Sequence, residues 1–565
     1  MPFFRRFLFL STSLLALNCS SESGDGGDSG SGNADDSGGL ISESCEPAND
    51  ISLSLDTVDV TDVIQDNLVS SVTIPDELSQ RQVLLEIWSF KDGEPDDLVW
   101  SFSSNGNSTF SVALSDGTFA ATLDALENSQ DHGLRAGYLI EDCTFPDWTE
   151  WQLFTTESGA SFFFESNTIP TLDFHIPNAS YASINAEARP PGCVPYERNF
   201  YTGNVSFEGQ EFPGAGLRVK GGCGSARFLE DKAGFKSNLS WDDPNIDGCP
   251  ETRRLHGLKK LTINNQIQDQ SNAHERISYH FYKLLDIPTP RVAPISLNVN
   301  DESWGLYLNV ESIDRRFLSR WFGSNQGALF EGTYSCDLDL ANIPPDENTI
   351  KCYSAKFTPD ECDKPDTDPE ADPPGFGPLE EFITAVNAIP ASNFYAEISQ
   401  LIDMPRFLNL MAADVIIANW DGYMFNRNNY RMYRDPSSNK WTFLPTGIDQ
   451  TLVDRSIASS SRLDTNPFPG GGGRAVEGIV AQRCQQDPQC NSEFIKAIKL
   501  AISVFENAVL NNMAEDIRLE IADHVMSDPR TTTSFTQWNA ALDLTKDFIS
   551  NRPAQVRGWL TAAGY

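Results

Sequence analysis

The N-terminal segment constrains this chain most, because it decides in which compartment the rest has to fold. Arg5 and Arg6 precede an apolar run over residues 7–17, which is interrupted only by small hydroxyl residues. A run of this length is too short to cross a bilayer, and a basic start followed by a short apolar stretch is typical of an export signal. We therefore expect the chain to leave the cytoplasm.

The apolar run ends in the letters LALNC at 15–19, which resemble a bacterial lipoprotein signal with Cys19 as the lipidated residue. Asn18 departs from the small residue expected before such a cysteine, so plain cleavage by signal peptidase is the alternative. Residues 20–44 are rich in Ser, Gly and acidic side chains and are predicted to form a disordered tether. Residues 1–19 are then the signal, and the mature protein is anchored to the membrane through lipid on Cys19, at the outer membrane or cell surface.

The cysteine content agrees with export. The chain has 11 cysteines, and an even set remains once Cys19 is set aside. In an exported protein an even set predicts disulfides rather than metal ligands. A local bridge such as Cys484–Cys490 fits this expectation, although the full connectivity cannot be deduced from the sequence.

The charge balance excludes one class of partner. The chain carries 41 basic and 80 acidic residues, a formal net charge of −39. Nucleic-acid binding requires a basic surface, so we expect no nucleic-acid partner. A Cys-, Asp- and Pro-rich insertion over 336–378 is predicted to be a solvated, disulfide-pinned loop. Calcium binding there is the alternative, but EF-hand spacing is absent.

The rest of the chain divides into two predicted units of an α+β protein. Residues 45–189 contain β-rich runs at 83–88 and 109–114 and predict an immunoglobulin-like β-sandwich. From residue 190 to 565, strands precede helices. A helix is expected over about 271–285, and a mainly helical part follows Asp403, which is a good N-cap.

Several segments of the second unit are similar, in sequence and in order, to the spore-coat CotH kinase family. They are LRVKGGCGS at 217–225, KAGFK at 232–236, LHGLKKLTINN at 255–265 followed by Asp269, Ser271 and Glu275, WGLYLNVE at 304–311, DRRF at 314–317, NWDGY at 419–423, GIDQT at 447–451 and FISNRP at 548–553. This resemblance implies an atypical, two-lobed protein-kinase-like domain that follows the β-sandwich-like domain.

Phosphoryl transfer needs groups that hold the phosphates, and the resemblance supplies candidates for them. Lys236 is the preferred phosphate-contacting lysine, with Glu275 as its ion-pair partner, and Lys220 is the rival lysine. Gly222 lies in a glycine-rich turn that could present backbone N–H groups to phosphates. Glu311 is expected either near the hinge, helping to bind adenine, or as a brace of that region.

The remaining candidates follow the predicted helix after Asp403. Asp421 and Asn426 have the D-x-x-x-x-N spacing of a kinase catalytic loop, in which the Asp accepts the hydroxyl proton and the Asn binds metal. Asn428 and Asn429 compete with Asn426 for the metal. Asp449 resembles the metal-binding Asp that follows the next strand, while Gly447 stands where many relatives have an acid.

These patterns predict an exported kinase that transfers the γ-phosphate of ATP, with Mg²⁺ or Mn²⁺, to Ser or Thr of proteins at the cell surface or in the extracellular matrix. The alternative is a catalytically inactive, kinase-like protein that serves surface binding, adhesion or structure. A hydrolase finds no support, because the sequence contains neither G-x-S-x-G nor H-E-x-x-H.

Overall fold

The computed structural model of the chain describes residues 52–54, 68–73, 83–91, 94–103, 113–115, 118–121, 131–138, 147–148, 152–155, 161–164, 168–187, 198–222, 224–239, 241, 255, 258–322, 327–344, 350–355, 375–453, 464–468 and 474–565. The predicted signal with Cys19, the predicted tether and the acidic run of the 336–378 insertion lie outside these residues.

The first strands form two antiparallel sheets. Their bounds are β1 (Ser52–Ser54), β2 (Leu68–Thr73), β3 (Val83–Lys91), β4 (Glu94–Ser103), β5 (Ala113–Ser115), β6 (Thr118–Ala121), β7 (Asp131–Tyr138), β8 (Asp147–Trp148) and β9 (Gln152–Thr155). One sheet has the order β1-β2-β6-β5 and the other β4-β3-β7-β8, with β9 also paired to β7. The β-rich character is as predicted, and the immunoglobulin-like sandwich stays a prediction.

A closed barrel of seven strands follows. Its strands are β10 (Thr171–His175), β11 (Tyr201–Phe207), β12 (Gln210–Lys220), β13 (Gly234–Asn238), β14 (Lys260–Asn264), β15 (Val292–Val299) and β16 (Glu302–Val310). Neighbours are antiparallel except at the closure, where β10 runs parallel to β15. The barrel therefore begins upstream of residue 190, the boundary that the sequence suggested. Local residue preferences predict a strand but not the sheet that it joins.

Alternation along the barrel strands separates an apolar interior from a polar outer face. On β12, Val219 is buried in the barrel core and pairs with Phe235 of β13. The residue before Val219 on β12 is Arg218, which pairs with Lys236. Lys220, the last residue of β12, lies on the same face as this pair. The two candidate lysines therefore both project from the outer face of the barrel.

Helices and a small sheet make up the rest. The helices are α1 (Ser161–Phe164), α2 (Asn178–Ala186), α3 (His274–Leu284), α4 (Arg315–Phe322), α5 (Gly377–Ala388), α6 (Phe394–Leu401), α7 (Met404–Ile416), α8 (Tyr423–Asn426), α9 (Ile479–Gln486), α10 (Pro488–Asn507), α11 (Leu510–Ser527) and α12 (Phe535–Ala562). The sheet contains β17 (Ala328–Gly332), β18 (Tyr353–Ala355), β19 (Tyr430–Asp435) and β20 (Lys440–Pro445), in the order β18-β17-β19-β20.

Helix α3 confirms the helix predicted over about 271–285, with one difference on its apolar face. Ile277 and Phe281 are fully buried, as their spacing predicts. Leu284, which we placed on the same face, is 44% exposed, whereas Leu285 is buried at 3% exposure. The helix ends at Leu284, so the chain turns there and the following leucine takes the core position.

Helix α7 leads directly into the candidate site. The Asp403 side chain accepts a hydrogen bond from the backbone N–H of Arg406, and Pro405 lies in the first turn, both as predicted. Phe407 and Met411 are buried in the main helical core. This anchored helix fixes the position at which the next residues leave it.

Two disulfides lie among the described residues. Cys484–Cys490, the local bridge that fitted the sequence, joins α9 to α10. Cys336–Cys352 closes a loop at the start of the 336–378 insertion, in agreement with a disulfide-pinned segment. In the described part of the chain, no helix combines the length and the apolarity that crossing a membrane requires.

A buried ion pair connects the barrel to the end of α11. Lys232, which precedes β13, donates to the carboxylate of Asp528, and both side chains are almost completely buried. Asp528 also accepts from the backbone N–H of Leu306 at 3.0 Å. Gly305 makes this approach possible, because a Cβ at that position would lie 2.2 Å from the Asp528 carboxylate.

Candidate active site

Glu275 occupies the first turn of α3 and is 3% exposed. Its carboxylate accepts a hydrogen bond from the side-chain amide of Asn264, the last residue of β14. Burial raises the pKa of Glu275 to about 8, and the negative charge of Asp449 adds to that rise. The positive charge of Lys220 acts in the opposite direction. Glu275 therefore lies close to both a second carboxylate and a lysine.

Among the charges that act on the Glu275 carboxylate, that of Lys220 is the largest attractive one. Its charge lowers the pKa of Glu275, and it is also the largest attractive influence on Asp449. Lys236 lies one strand away, on β13, opposite Arg218. We had preferred Lys236 over Lys220 as the partner of Glu275; the choice between the two lysines stays a prediction, and the attraction between Lys220 and Glu275 is an argument for Lys220.

The glycine-rich turn follows Lys220 immediately. Gly221 and Gly224 have positive φ values of 114° and 82°, a backbone conformation that glycine adopts without strain. Gly222 is exposed, and a Cβ there would meet nothing within 4 Å. A Cβ on Gly224 would lie 2.9 Å from the side chain of Gln268, so the turn approaches the loop that leads to α3.

Asp421 lies in the loop between α7 and α8 and is half-buried. Its carboxylate accepts hydrogen bonds from the amides of Asn426, Asn428 at 3.2 Å and Asn429 at 2.9 Å. Burial raises the pKa of Asp421, while these three amides and Arg474 pull it back down. All three asparagines that competed for the metal therefore contact the candidate base.

Asp449 follows β20 and connects this loop to α3. Its backbone carbonyl lies 3.1 Å from Nδ1 of His274, the first residue of α3. Burial raises the pKa of the Asp449 carboxyl, Lys220 opposes that rise, and the negative charges of Asp269 and Asp421 increase it. The pKa of Asp449 is thus influenced by Lys220, beside the glycine-rich turn, and by Asp421, in the loop between α7 and α8.

Gly447 closes the site beside Asn429. It has φ +59° and is exposed, and its carbonyl accepts from the Asn429 amide at 3.2 Å. A Cβ on Gly447 would lie 2.9 Å from Oδ1 of Asn429. Gly447 thus lies in a turn, and an added side chain there would press on an asparagine that holds Asp421.

The geometry can now be compared with known proteins. A family model described as CotH kinase protein matches residues 217–556, more than half of the chain. The chain belongs to the CotH kinase family. This confirms the predicted membership, and the matched region contains the whole candidate site.

Individual CotH relatives are distant. Inner spore coat protein H of Bacillus subtilis is 25% identical over 206 residues, which cover 36% of this chain and 52% of that protein. Invasin CotH2 of Rhizopus delemar is 21% identical over 378 residues, or 65% of this chain and 58% of that protein. The chain spans between about half and three-fifths of the length of these curated relatives.

One solved kinase structure also matches. The Helicobacter pylori proinflammatory kinase CtkA covers 58% of this chain and 98% of its own, with 10% identity and a TM-score of 0.25. A TM-score this low carries no argument about the fold, so family membership rests on the sequence match.

Glu311, a further candidate residue of this CotH-family site, is held by two arginines. Both carboxylate oxygens of Glu311 accept hydrogen bonds from arginines. The Arg291 guanidinium donates to Oε1 at 2.7 Å and 3.1 Å. Oε2 accepts from the backbone N–H of Arg291 and from the Arg320 guanidinium. Burial pushes the pKa of Glu311 up, but the attraction of Arg320 and Arg291 outweighs it and leaves the pKa lowered. These arginine contacts fit the brace that we expected of Glu311, while the adenine contact stays a prediction.

Sequence reasoning assigned no role to Asp269 and His274, although Asp269 lies in a quoted segment. The Asp269 carboxylate accepts from the backbone N–H groups of Ser271 and His274, both at 2.8 Å, and thereby fixes the start of α3. His274 then contacts the Asp449 carbonyl. The D-x-S pattern before a helix was the available signal, because short polar side chains satisfy free N–H groups at helix starts.

The residues present fit a divalent cation held jointly with phosphate. Mg²⁺ usually takes one or two protein carboxylates and completes its coordination with substrate phosphates and water. Asp449 supplies a carboxylate, and Asn426, whose amide nitrogen donates to Asp421, retains its side-chain oxygen as a ligand. Among the described residues no group of three or more His, Cys, Asp or Glu could hold a metal by itself.

Proposed function

We propose that this CotH-family chain is an exported, lipid-anchored protein kinase, with a two-lobed catalytic domain, that transfers the γ-phosphate of ATP to Ser or Thr hydroxyls. One observation carries the proposal: Lys220, Glu275, Asp421 and Asp449 come from four separate segments, yet Asp449 is within electrostatic reach of all the others. Clusters of buried carboxylates with raised pKa values are costly, and they are concentrated at functional sites.

The phosphate-holding side of the site is the end of β12. Lys220 contacts the phosphates, and Glu275 keeps the lysine in position from α3. The turn at Gly222 is exposed, and its backbone N–H groups would contact the same phosphates. Lys236, on the same face of the barrel, remains the alternative phosphate contact.

The transfer step takes place at Asp421. As the acceptor hydroxyl oxygen bonds to the γ-phosphorus, the bond from that phosphorus to the departing ADP oxygen breaks and the hydroxyl proton passes to the Asp421 carboxylate. The three asparagine amides hold that carboxylate in one orientation. Orientation of the acceptor is the main contribution a protein can make to this reaction.

Asn426 and Asp449 would hold Mg²⁺ or Mn²⁺ at this site. When bound, the metal neutralises the charge of the phosphates. Without it, Asp449 faces the repulsion of Asp269 and Asp421 with Lys220 as its main opposing charge. The chain's own acidic groups thus favour a cation at this point.

The acceptors are proteins at the cell surface or in the extracellular matrix, reached from a membrane anchor on Cys19. The predicted signal, the predicted tether and the disulfides support export. The names of two relatives, an inner spore coat protein and an invasin, also belong to coat and surface settings.

A non-catalytic adhesion protein is the second candidate. It is favoured by the relative named invasin and by Gly447, which leaves the site with one acid fewer than many relatives. Such a protein would keep the cluster as a structural remnant and would bind no nucleotide.

The deciding experiment is label transfer from γ-labelled ATP with Mg²⁺ or Mn²⁺, using the disulfide-intact chain. We expect label in the parent, none in Asp421→Ala or Asp449→Ala, and parental labelling in Asp286→Asn, a control at an exposed carboxylate that pairs with Arg406. Absence of label, together with no thermal stabilisation by nucleotide and metal, would exclude the kinase and favour adhesion.

The two lysines can be separated in the same assay. Lys220→Met should raise the KM for ATP and abolish most labelling, whereas Lys236→Met should act weakly. The reverse order would restore our original preference for Lys236.

The anchor has its own test. Cells fed a radioactive fatty acid should label the parent chain but not Cys19→Ala. Labelling that survives this substitution would contradict the anchor without affecting the kinase proposal.

A further inference from the structure

A buried polar cluster lies behind the loop that carries Asp421. It consists of Tyr282 at 0%, Asp414 at 2% and Asn419 at 4% exposure. One oxygen of Asp414 accepts from the Tyr282 hydroxyl at 2.5 Å and from the Asn419 amide at 2.9 Å. The same amide lies 3.1 Å from the Tyr282 hydroxyl oxygen. The three groups therefore satisfy one another out of contact with water.

The cluster supports the loop from within. Asp414 belongs to the last turn of α7, and its backbone carbonyl accepts from the N–H of Asn419, two residues before Asp421. Gly422, directly after Asp421, passes so close that a Cβ there would lie 2.9 Å from the other Asp414 oxygen and 2.7 Å from the Asn419 amide. Before Asp421, the loop is thus hydrogen-bonded to the backbone of Asp414. After Asp421, it lies close against the Asp414 carboxyl group.

The cluster also reaches the opposite side of the site through α3. Tyr282 lies two helical turns after Glu275, on the same helix face. Between them, the Ser278 hydroxyl contacts that of Thr451 at 2.8 Å, two residues after Asp449. One face of α3 therefore touches the segments that carry Asp449 and Asp421, and Tyr282 makes the second of these contacts.

We propose that Asp414 is a positioning residue that fixes the Asp421 loop against helix α3, so that the proton acceptor and the phosphate-holding pair of Lys220 and Glu275 keep a constant separation. This inference rests on the proposed kinase function. Asp414 acts through Tyr282 and Asn419 and touches neither nucleotide nor acceptor.

The alternative is that Asp414 only fills space in the core. The two roles differ in what a substitution should change. A space-filling residue is replaced best by an apolar side chain of similar size, because burying a carboxyl group is costly. A positioning residue needs an acceptor oxygen for Tyr282 and Asn419, so that Asp414→Asn should preserve the role and Asp414→Leu should destroy it.

Steady-state kinetics on the full disulfide-intact chain provide the first test. We expect Asp414→Leu to lower kcat by roughly tenfold or more, because small displacements at a reacting centre are expensive, with the KM for ATP within about twofold of the parent. Asp414→Asn should retain most of kcat, and Tyr282→Phe should fall between the two. Equal kcat in Asp414→Leu and the parent, or a loss confined to KM, would overturn the proposal.

Hydrogen exchange provides a second test that does not depend on activity. Amides of 417–426 should exchange at least several-fold faster in Asp414→Leu than in Asp414→Asn, while those of α10 remain unchanged. If the parent shows no label transfer but this difference is found, the kinase proposal fails and the positioning role stands. Unchanged exchange in the loop would refute the positioning role whatever the activity, and Tyr282→Phe repeats the test if Asp414→Leu does not fold.

Discussion

Gly447 shows how one residue limits the chemistry around Asp421. Its φ of +59° would strain most L side chains, and the space that a Cβ would take is 2.9 Å from Oδ1 of Asn429. Asn429 is also one of the three donors to Asp421. Any side chain added at position 447 would therefore press on Asn429 and disturb the candidate base.

We expect Gly447→Ala to cost about 1 kcal/mol of stability and to lower label transfer, because Asn429 must move. The measurement is urea unfolding combined with the kinase assay. Gly377→Ala is the matched control, since a Cβ at Gly377 meets nothing within 4 Å and the residue begins helix α5. A Gly447→Ala variant that behaves like this control would contradict the contact.

Asp414 predicts a pH dependence of stability. Burial raises its pKa to about 7, and the hydrogen bonds from Tyr282 and Asn419 only partly oppose this. The folded state thus holds a proton that the unfolded chain releases near pH 4. The contribution of Asp414 to the free energy of unfolding is therefore complete below pH 4 and is lost as the pH rises through 7. The change is about 1.4 kcal/mol per pH unit at most.

Asp414→Asn should remove that slope. Urea unfolding at pH 5 and pH 7 gives the difference in the free energy of unfolding between the parent and the variant. This difference should shift in favour of the variant at pH 7. Parallel slopes in the two proteins would show that Asp414 ionises normally.

At the scale of elements, the Cys336–Cys352 disulfide lies next to a carboxylate that contacts the start of α8, just after Asp421. Asp337, beside Cys336, accepts from the Tyr423 hydroxyl at 3.1 Å and from the backbone N–H of Ile479 at 2.9 Å. Tyr423 begins α8, two residues after Asp421, and Ile479 begins α9. One carboxylate therefore joins two helix starts and depends on the bridge next to it.

Replacing both Cys336 and Cys352 by Ser should lower stability by about 3 kcal/mol, the value expected for a loop of this length, and should also reduce kcat. The same replacement at Cys484 and Cys490, a bridge of sequence separation 6, serves as the control and should leave kcat unchanged. Unfolding in urea and label transfer are the two measurements. A loss of stability without a loss of kcat would show that Asp337 does not support the loop that carries Asp421.

The same scale shows what the sequence could predict. Asp421, Asn426 and Glu275 were proposed from spacing and family order, because these patterns are local or sit on one predicted helix, and their roles stay predictions. The sequence ranked Lys236 above Lys220 but could not give their distances to Glu275, since both lysines project from one face of the barrel and those distances depend on how the sheet curves. Asp414 gave a signal that was missed, a lone acid inside the apolar run MAADVII at 411–417.

At the scale of the molecule, Lys232 and Asp528 join the barrel to the C-terminal helices through a buried charge pair. Breaking such a pair leaves an isolated buried charge, whereas replacing both partners by apolar side chains is tolerated far better. Arg530 strengthens the same junction by stacking 3.8 Å from the Trp304 ring centroid.

We expect Asp528→Ala to lose about 3–5 kcal/mol and the double variant Lys232→Met with Asp528→Leu to recover much of it, as measured by urea unfolding. Glu506→Ala, at the surface pair with Arg557, should cost about 1 kcal/mol or less. Equal losses in Asp528→Ala and Glu506→Ala would mean that the buried pair is not coupled to stability.

The closure of the barrel by parallel pairing of β10 with β15 has a consequence for a protein displayed at high density. Open sheets end in strands whose free N–H and C=O groups can recruit a strand from a neighbouring molecule, and crowding makes such pairing more frequent. A closed barrel has no end strand. The barrel, which carries the glycine-rich turn, therefore offers adjacent copies no free strand with which to pair.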